Sequence, residues 1–108
     1  MGRTCKKSMI RYTQKALLSL ENIFENIHKD KPNSAQEFIT KIKESIENLS
    51  TMPYLGKECK HKNIEGDCRV YIFKRNYIIV YQIAQEHIII RDIINTKQFK
   101  QKDKNANN

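Results

Sequence analysis

Among side chains able to move protons or hold metals, the 108-residue chain offers three histidines, His28, His61 and His87, and three cysteines, Cys5, Cys59 and Cys68. No histidine has a carboxylate or nucleophile at a spacing that would gather a catalytic group, and each reads first as a solvent-facing polar residue. The best general-base candidate is His61. It lies in the basic loop Lys57–Lys62, where Lys57, Lys60 and Lys62 favour the neutral, proton-accepting imidazole. Cys59, His61 and Cys68 supply thiolate and imidazole, but a fourth ligand and close paired spacing are both missing, so no metal is expected. The odd cysteine number and the absence of an export signal predict reduced thiols rather than a disulfide framework. Serine-hydrolase, phosphate-loop and dinucleotide signatures are absent, which excludes the common metabolic enzymes, and no cofactor is expected.

Charge is the other source of chemistry. The net charge is +8, with +4 in residues 1–13, −1 in residues 14–52 and +5 in residues 53–108. A neutral middle between two basic ends attracts a polyanion or an acidic protein through steering and counterion release. No aromatic stacking ladder or nucleic-acid fingerprint accompanies it. No apolar run approaches the roughly 18 residues of a bilayer span, and no secretory h-region follows the basic start, so a cytoplasmic protein without membrane contact is expected.

The elements that would position these groups follow from periodicity. A short strand is predicted at Ser8–Tyr12, and Thr13 can cap a helix over Gln14–Lys29 with Leu17, Leu20, Phe24 and Ile27 on one face. Lys31-Pro32-Asn33 breaks it. Ser34 and Glu37 spell a capping box for a second helix, whose stripe is Ala35, Phe38, Ile39, Ile42, Ile46, Leu49 and Met52. The short connection predicts an antiparallel helical hairpin. Pro53 ends the second helix, Tyr54–Asp67 reads as a loop, and three strands follow at Cys68–Lys74, Tyr77–Ala84 and His87–Ile94. The polar turns between them are Arg75-Asn76 and Gln85-Glu86. The expected fold is α+β: an N-terminal strand and a helical hairpin packed on a small, mainly antiparallel sheet. Its expected core is Leu20, Phe24, Phe38, Ile42, Ile46, Leu49, Ile79, Tyr81 and Ile90. One domain over residues 1–99 is expected, with 100–108 a polar tail too poor in apolar residues to order itself.

That order of elements comes with particular residues: Tyr12-Thr13, Ala16, Leu20-Glu21-Asn22-Ile23, Pro32 to Phe38, Pro53-Tyr54-Leu55-Gly56-Lys57, Tyr77-Ile78-Ile79-Val80-Tyr81-Gln82-Ile83 and Ile88–Lys97. Together, over about Ile10 to Phe99, they resemble the RelE/ParE superfamily of toxins from type II toxin–antitoxin systems. The resemblance implies a cognate antitoxin as partner, growth inhibition and a part in plasmid stabilisation. It also implies two chemistries. RelE-like members are ribosome-dependent mRNA endoribonucleases, whose Arg, Lys, His or Tyr side chains bind the scissile phosphate and move protons; ParE-like members inhibit DNA gyrase.

In the ribonuclease branch a catalytic arginine commonly stands where this chain has Ile78, a second falls on Gln98, and a tyrosine falls on Lys104. Both arginines are missing there. The residues left to a ribonuclease are His61, Arg69, Tyr71 and Lys97. An apolar residue at position 78 is instead common among ParE-like members, so the resemblance points to a gyrase inhibitor. That branch often ends its last strand in a Leu-His pair followed by an Arg, where this chain has Ile94-Asn95 and Gln98. The residues expected to meet a partner are Arg69, Lys74, Arg75, Arg91 and Lys97. The alternatives to the gyrase inhibitor are a ribonuclease with an atypical site, acting on the ribosome with mRNA, and a non-toxic binding domain of the same fold.

Overall fold

A computed structural model of the chain describes residues 8–59 and 67–97. Strand β1 (Met9–Tyr12) leads into helix α1 (Gln14–Asp30) and helix α2 (Pro32–Leu49). A short 3-10 turn (Pro53–Leu55) follows, then β2 (Lys57–Glu58), β3 (Asp67–Phe73), β4 (Tyr77–Ala84) and β5 (His87–Asn95). The strands form one five-stranded sheet in the order β1-β5-β4-β3-β2. β1 pairs with β5 in parallel, and every other pairing is antiparallel.

Thr13 caps α1 as its type suggests. Its Oγ1 accepts from the Ala16 amide at 3.1 Å and donates to the Arg91 carbonyl at 2.9 Å, so one hydroxyl starts the helix and fastens it to β5. The two helices are separated by Lys31 alone, whose extended φ of −138° is what a residue before proline adopts. α2 therefore begins at Pro32, with proline in the first turn where its missing N–H costs nothing. The predicted Ser34–Glu37 capping box does not form: Ser34 is already inside the helix, and the cap residue Lys31 makes no side-chain hydrogen bond. α2 also ends earlier than predicted. It stops at Leu49, where the Ser50 hydroxyl donates to the Glu47 carbonyl at 2.7 Å, and Met52 beyond it is exposed.

The face of α1 that packs on the sheet is Ala16, Leu20 and Ile23, with Ile27 beside them. Leu17 is 50% exposed and Phe24 only half-buried, stacked on His28. The apolar stripe of α1 is two columns wide, and the column holding the small Ala16 is the one that approaches the strands. α2 contributes Ala35, Ile42, Ile46 and Leu49, while Phe38 packs at the margin against Phe73 and Tyr77. From the sheet come Phe73, Ile79, Tyr81, Ile88, Ile90 and Ile93. Between Val80 and Tyr81 the β4–β5 register shifts, so that Tyr81 faces Ile90 and Val80 faces Asp92. This bulge lets both Ile90 and Ile93 reach the core. Asp92, opposite it, accepts from the Ser19 hydroxyl at 2.6 Å and lies 3.6 Å from the Lys15 ammonium, a second tie between α1 and β5.

The hairpin between β3 and β4 turns on Lys74 and Arg75, with φ of 50° and 68°, one residue before the predicted Arg75-Asn76. Cys59 and Cys68 are joined in a disulfide, against the expectation of reduced thiols. Counting cysteines ignores strand register, which sets these two opposite each other across β2 and β3.

Candidate functional site

The densest polar construction lies where the turn after α2 meets the β3–β4 ladder. Arg69 pairs across the ladder with Tyr81. The Tyr81 hydroxyl donates to the Pro53 carbonyl at 2.7 Å and accepts from the Gly56 amide at 2.9 Å. Arg69 completes the arrangement: its Nη1 donates to the Gly56 carbonyl at 2.9 Å, its Nε to Asp67 Oδ1 at 3.2 Å, and its guanidinium carbon lies 4.8 Å from the Tyr54 ring centroid. The Arg69 side chain is 17% exposed. Burial pushes the Tyr81 phenol above its ordinary pKa, against the opposing pull of the Gly56 hydrogen bond and the Arg69 charge. The phenol therefore stays neutral, able to donate and accept at once. Burial raises Tyr77 in the same way, and it raises Tyr12 together with the negative charge of Glu47.

Arg69 thus serves as a structural clamp. Its planar fork is matched to a carbonyl and a carboxylate, and one face is covered by an aromatic ring, which is how a guanidinium holds a segment in place. Tyr71 lies on the same side of β3 and packs against the core. Ile78 faces the opposite side of the sheet from its neighbour Ile79, in register with Ile72 and Ile94. A side chain at position 78 and the pair Arg69 and Tyr71 are therefore separated by the sheet itself.

The remaining predicted residues divide between the two ends of the sheet. Lys74 and Arg75 sit in the β3–β4 turn. Lys97 follows β5 near the same end, where the Thr96 amide donates to the Asn76 carbonyl at 2.8 Å. Lys74 Nζ lies 5.8 Å from the Phe38 centroid and 5.7 Å from that of Phe73. Arg69 and Arg91 belong to the other end, roughly 16 Å away along the strands at ~3.3 Å per residue. Arg91 Nη1 donates to Gln82 Oε1 at 3.5 Å. His61 lies outside the described residues, as do Gln98 and Lys104. Among the described residues no three His, Cys, Asp or Glu side chains gather as a metal group would require. None of the helices among them is long and apolar enough to cross a membrane.

Two features escaped the sequence reading. One is the Tyr81 clamp, although a buried tyrosine needs a partner for its hydroxyl and a glycine after Pro-Tyr-Leu marks a place where chains approach closely. The other is an open groove of about 330 Å³ on the outer side of the helical hairpin, lined by Leu17, Leu20, Phe24 and Ile39 and flanked by Glu21 and Lys43.

Two helices on one face of a mainly antiparallel five-stranded sheet define an α+β fold of the RelE/ParE kind. It is shared with a chain of the chromosomal ParDE toxin–antitoxin system of P. aeruginosa, at 18% identity and a TM-score of 0.69 over 83% of this chain and 97% of that one. It is shared also with a chain of the toxin–antitoxin complex RelBE2 of Mycobacterium tuberculosis, at 16% identity and a TM-score of 0.53 over 87% of this chain and 97% of that one. No curated protein matches the chain. Residues 10–98 match the family model described as the ParE toxin of the type II toxin–antitoxin system parDE, and the chain belongs to that family.

Proposed function

We infer that the chain is the toxin of a type II pair that acts on DNA gyrase and is neutralised by a cognate antitoxin. The observation that carries this reading is the separation just described. Position 78 is an isoleucine in an apolar row with Ile72 and Ile94, while the one strand arginine near Tyr71 is engaged with Gly56, Asp67 and Tyr54 on the other side of the sheet. Cleavage of RNA by its own 2′-hydroxyl needs a base, an acid and a cation converging on one phosphate. The described residues offer no such convergence. The ParE family model supports the same branch.

The antitoxin is expected to be an amphipathic acidic segment. The groove between Leu17, Phe24 and Ile39 suits apolar anchors, and Arg75, Lys74 and Lys97 suit carboxylates. Expression of the toxin alone, with transcripts mapped and purified gyrase assayed for supercoiling, tests the reading. Loss of supercoiling with intact messages is the expected result. Codon-specific cuts in translated messages identify the ribonuclease instead, and neither effect identifies a non-toxic binding domain. A small neighbouring gene product that co-purifies with the chain is the expected antitoxin.

A further inference from the structure

Cys59 and Cys68 face each other where β2 leaves β3. The ladder pairs Lys57 with Val70 and Glu58 with Arg69, and the Cys59 amide donates to the Cys68 carbonyl at 2.8 Å, so the next pair in register is the two cysteines. Their Cα atoms are 5.3 Å apart. That is the separation of a hydrogen-bonded antiparallel pair and lies within what a disulfide spans without backbone movement. Cys68 is 2% exposed, whereas Cys59 is only half-buried. Cys59 is therefore the member of the pair that a reagent arriving from solvent meets first.

β2 is the outermost strand and only two residues long, too short to hold itself to β3 through main-chain bonds alone. Side chains must supply the rest. Tyr81 and Arg69 grip the segment at Pro53 and Gly56, upstream of β2. The disulfide grips it downstream. We propose that Cys59–Cys68 is a reversible thiol–disulfide modification site that sets whether the Lys57–Cys59 stretch covers the outer edge of β3. A small thiol of the glutathione class attacks as thiolate at the Cys59 sulfur, forming a mixed disulfide and releasing the Cys68 thiolate, which takes up a proton. A second small thiolate attacks the small molecule's own sulfur in that mixed disulfide. The small molecule leaves as its disulfide, and Cys59 leaves as a thiolate that is protonated in turn. Two electrons pass from two small thiols to the protein bond, and the reverse sequence restores it. In the reduced state the stretch is held only by the Gly56 grip and its own short ladder, and when that ladder opens the unpaired groups along β3 become available for strand pairing. The device does not depend on which target the toxin has.

The test uses the full chain with Cys5→Ser, so that only Cys59 and Cys68 can exchange, equilibrated in buffers of graded reduced and oxidised glutathione. Linked and free peptides are counted by mass, and amide hydrogen exchange is followed along the chain. One two-electron transition is expected, with exchange at the Cys59 amide rising on the order of tenfold or more on reduction and returning on reoxidation, while β4 and β5 stay protected. Cys59→Ser should show the fast exchange of its neighbours Lys57 and Glu58 in every buffer. A pair that remains thiol in excess oxidised glutathione, or remains linked in excess reduced glutathione, overturns the proposal. So does a pair that cycles without changing exchange over 57–59, and these outcomes are read without the variant.

Discussion

The hydroxyl of Tyr81 stands 2.9 Å from the amide nitrogen of Gly56, twenty-five residues away in sequence, and 2.7 Å from the Pro53 carbonyl. The approach depends on glycine for room rather than for conformation. A Cβ at position 56 would lie 2.6 Å from the Val70 carbonyl oxygen, 2.7 Å from the Tyr81 oxygen and 2.9 Å from Tyr81 Cε1, and the first of these is backbone. Sequence positions that look like separate motifs, Pro-Tyr-Leu-Gly and the strand carrying Tyr81, are one interlocking unit.

Tyr81→Phe should therefore cost about 1–3 kcal/mol, because it leaves the Gly56 amide and the Pro53 carbonyl without their partner in a buried place. Gly56→Ala should cost at least as much, by forcing the turn off the ladder. Chemical denaturation measures both. A Tyr81→Phe protein that unfolds at the wild-type midpoint would refute the clamp.

The same tyrosine sets an alkaline limit. Tyr12, Tyr77 and Tyr81 all have pKa values raised by burial, so folding holds their protons more tightly than the unfolded chain does. Stability from these groups is fully present below the ordinary phenol pKa of about 10 and is lost as pH rises through it toward the folded values. The denaturation midpoint should fall above about pH 10, and Tyr81→Phe should lessen the slope. A midpoint independent of pH in that range for the wild type contradicts the assignment.

Ile42 and Leu49 are fully buried on α2, and truncating either to Ala should cost roughly 2–5 kcal/mol. Leu17, half exposed on α1, is the contrast. Leu17→Ala should change stability by no more than about 0.5 kcal/mol. It should nonetheless weaken capture of the antitoxin by about tenfold if the groove holds an apolar anchor. Parallel melting and binding measurements separate the two roles, and a Leu17→Ala protein that binds as tightly as wild type would remove the groove from the interface.

The two helices and the longer strands were legible because their periodicity is strong: β4 falls on Tyr77–Ala84 as predicted, and Thr13 caps α1, whereas the two-residue β2 lies inside the stretch read as a loop because it is too short to show a period. What pattern could not choose was orientation within a wide stripe. Spacing put Leu17 and Phe24 on the apolar face of α1, and Phe24 in the expected core, yet Ala16 and Ile23 face the strands, since a small residue lets a helix approach a sheet closely. Ser34 and Glu37 had capping-box spacing, but Pro32 can open a helix itself and did so two residues earlier. At the site, residue type suggested that Arg69 was a free cation. One partner, Asp67, stands two residues away on the same strand, but the other, Gly56, lies on a segment whose meeting with β3 is decided by strand register, which a single sequence states only indirectly.

Ile78→Arg tests the functional reading most directly. The residue is half-buried on the sheet face away from the helices, beside Ile72, which is 59% exposed, so a guanidinium there can extend its charge into water. The fold should survive, at a cost of about 1 kcal/mol. A ribonuclease lacking only this cation should then gain cleavage, because arginine can hold a phosphate through two hydrogen bonds. No gain is expected here. Arg69 and Tyr71 lie on the other side of the sheet and cannot bracket a phosphate together with the new charge. The measurement is cleavage of a defined message on purified translating ribosomes, with wild type, Ile78→Arg and Arg69→Ala compared after each is shown to melt as a folded protein. Codon-specific cuts by the wild type that disappear in a folded Arg69→Ala protein would show that Arg69 does chemistry as well as clamping, and that the gyrase reading is wrong.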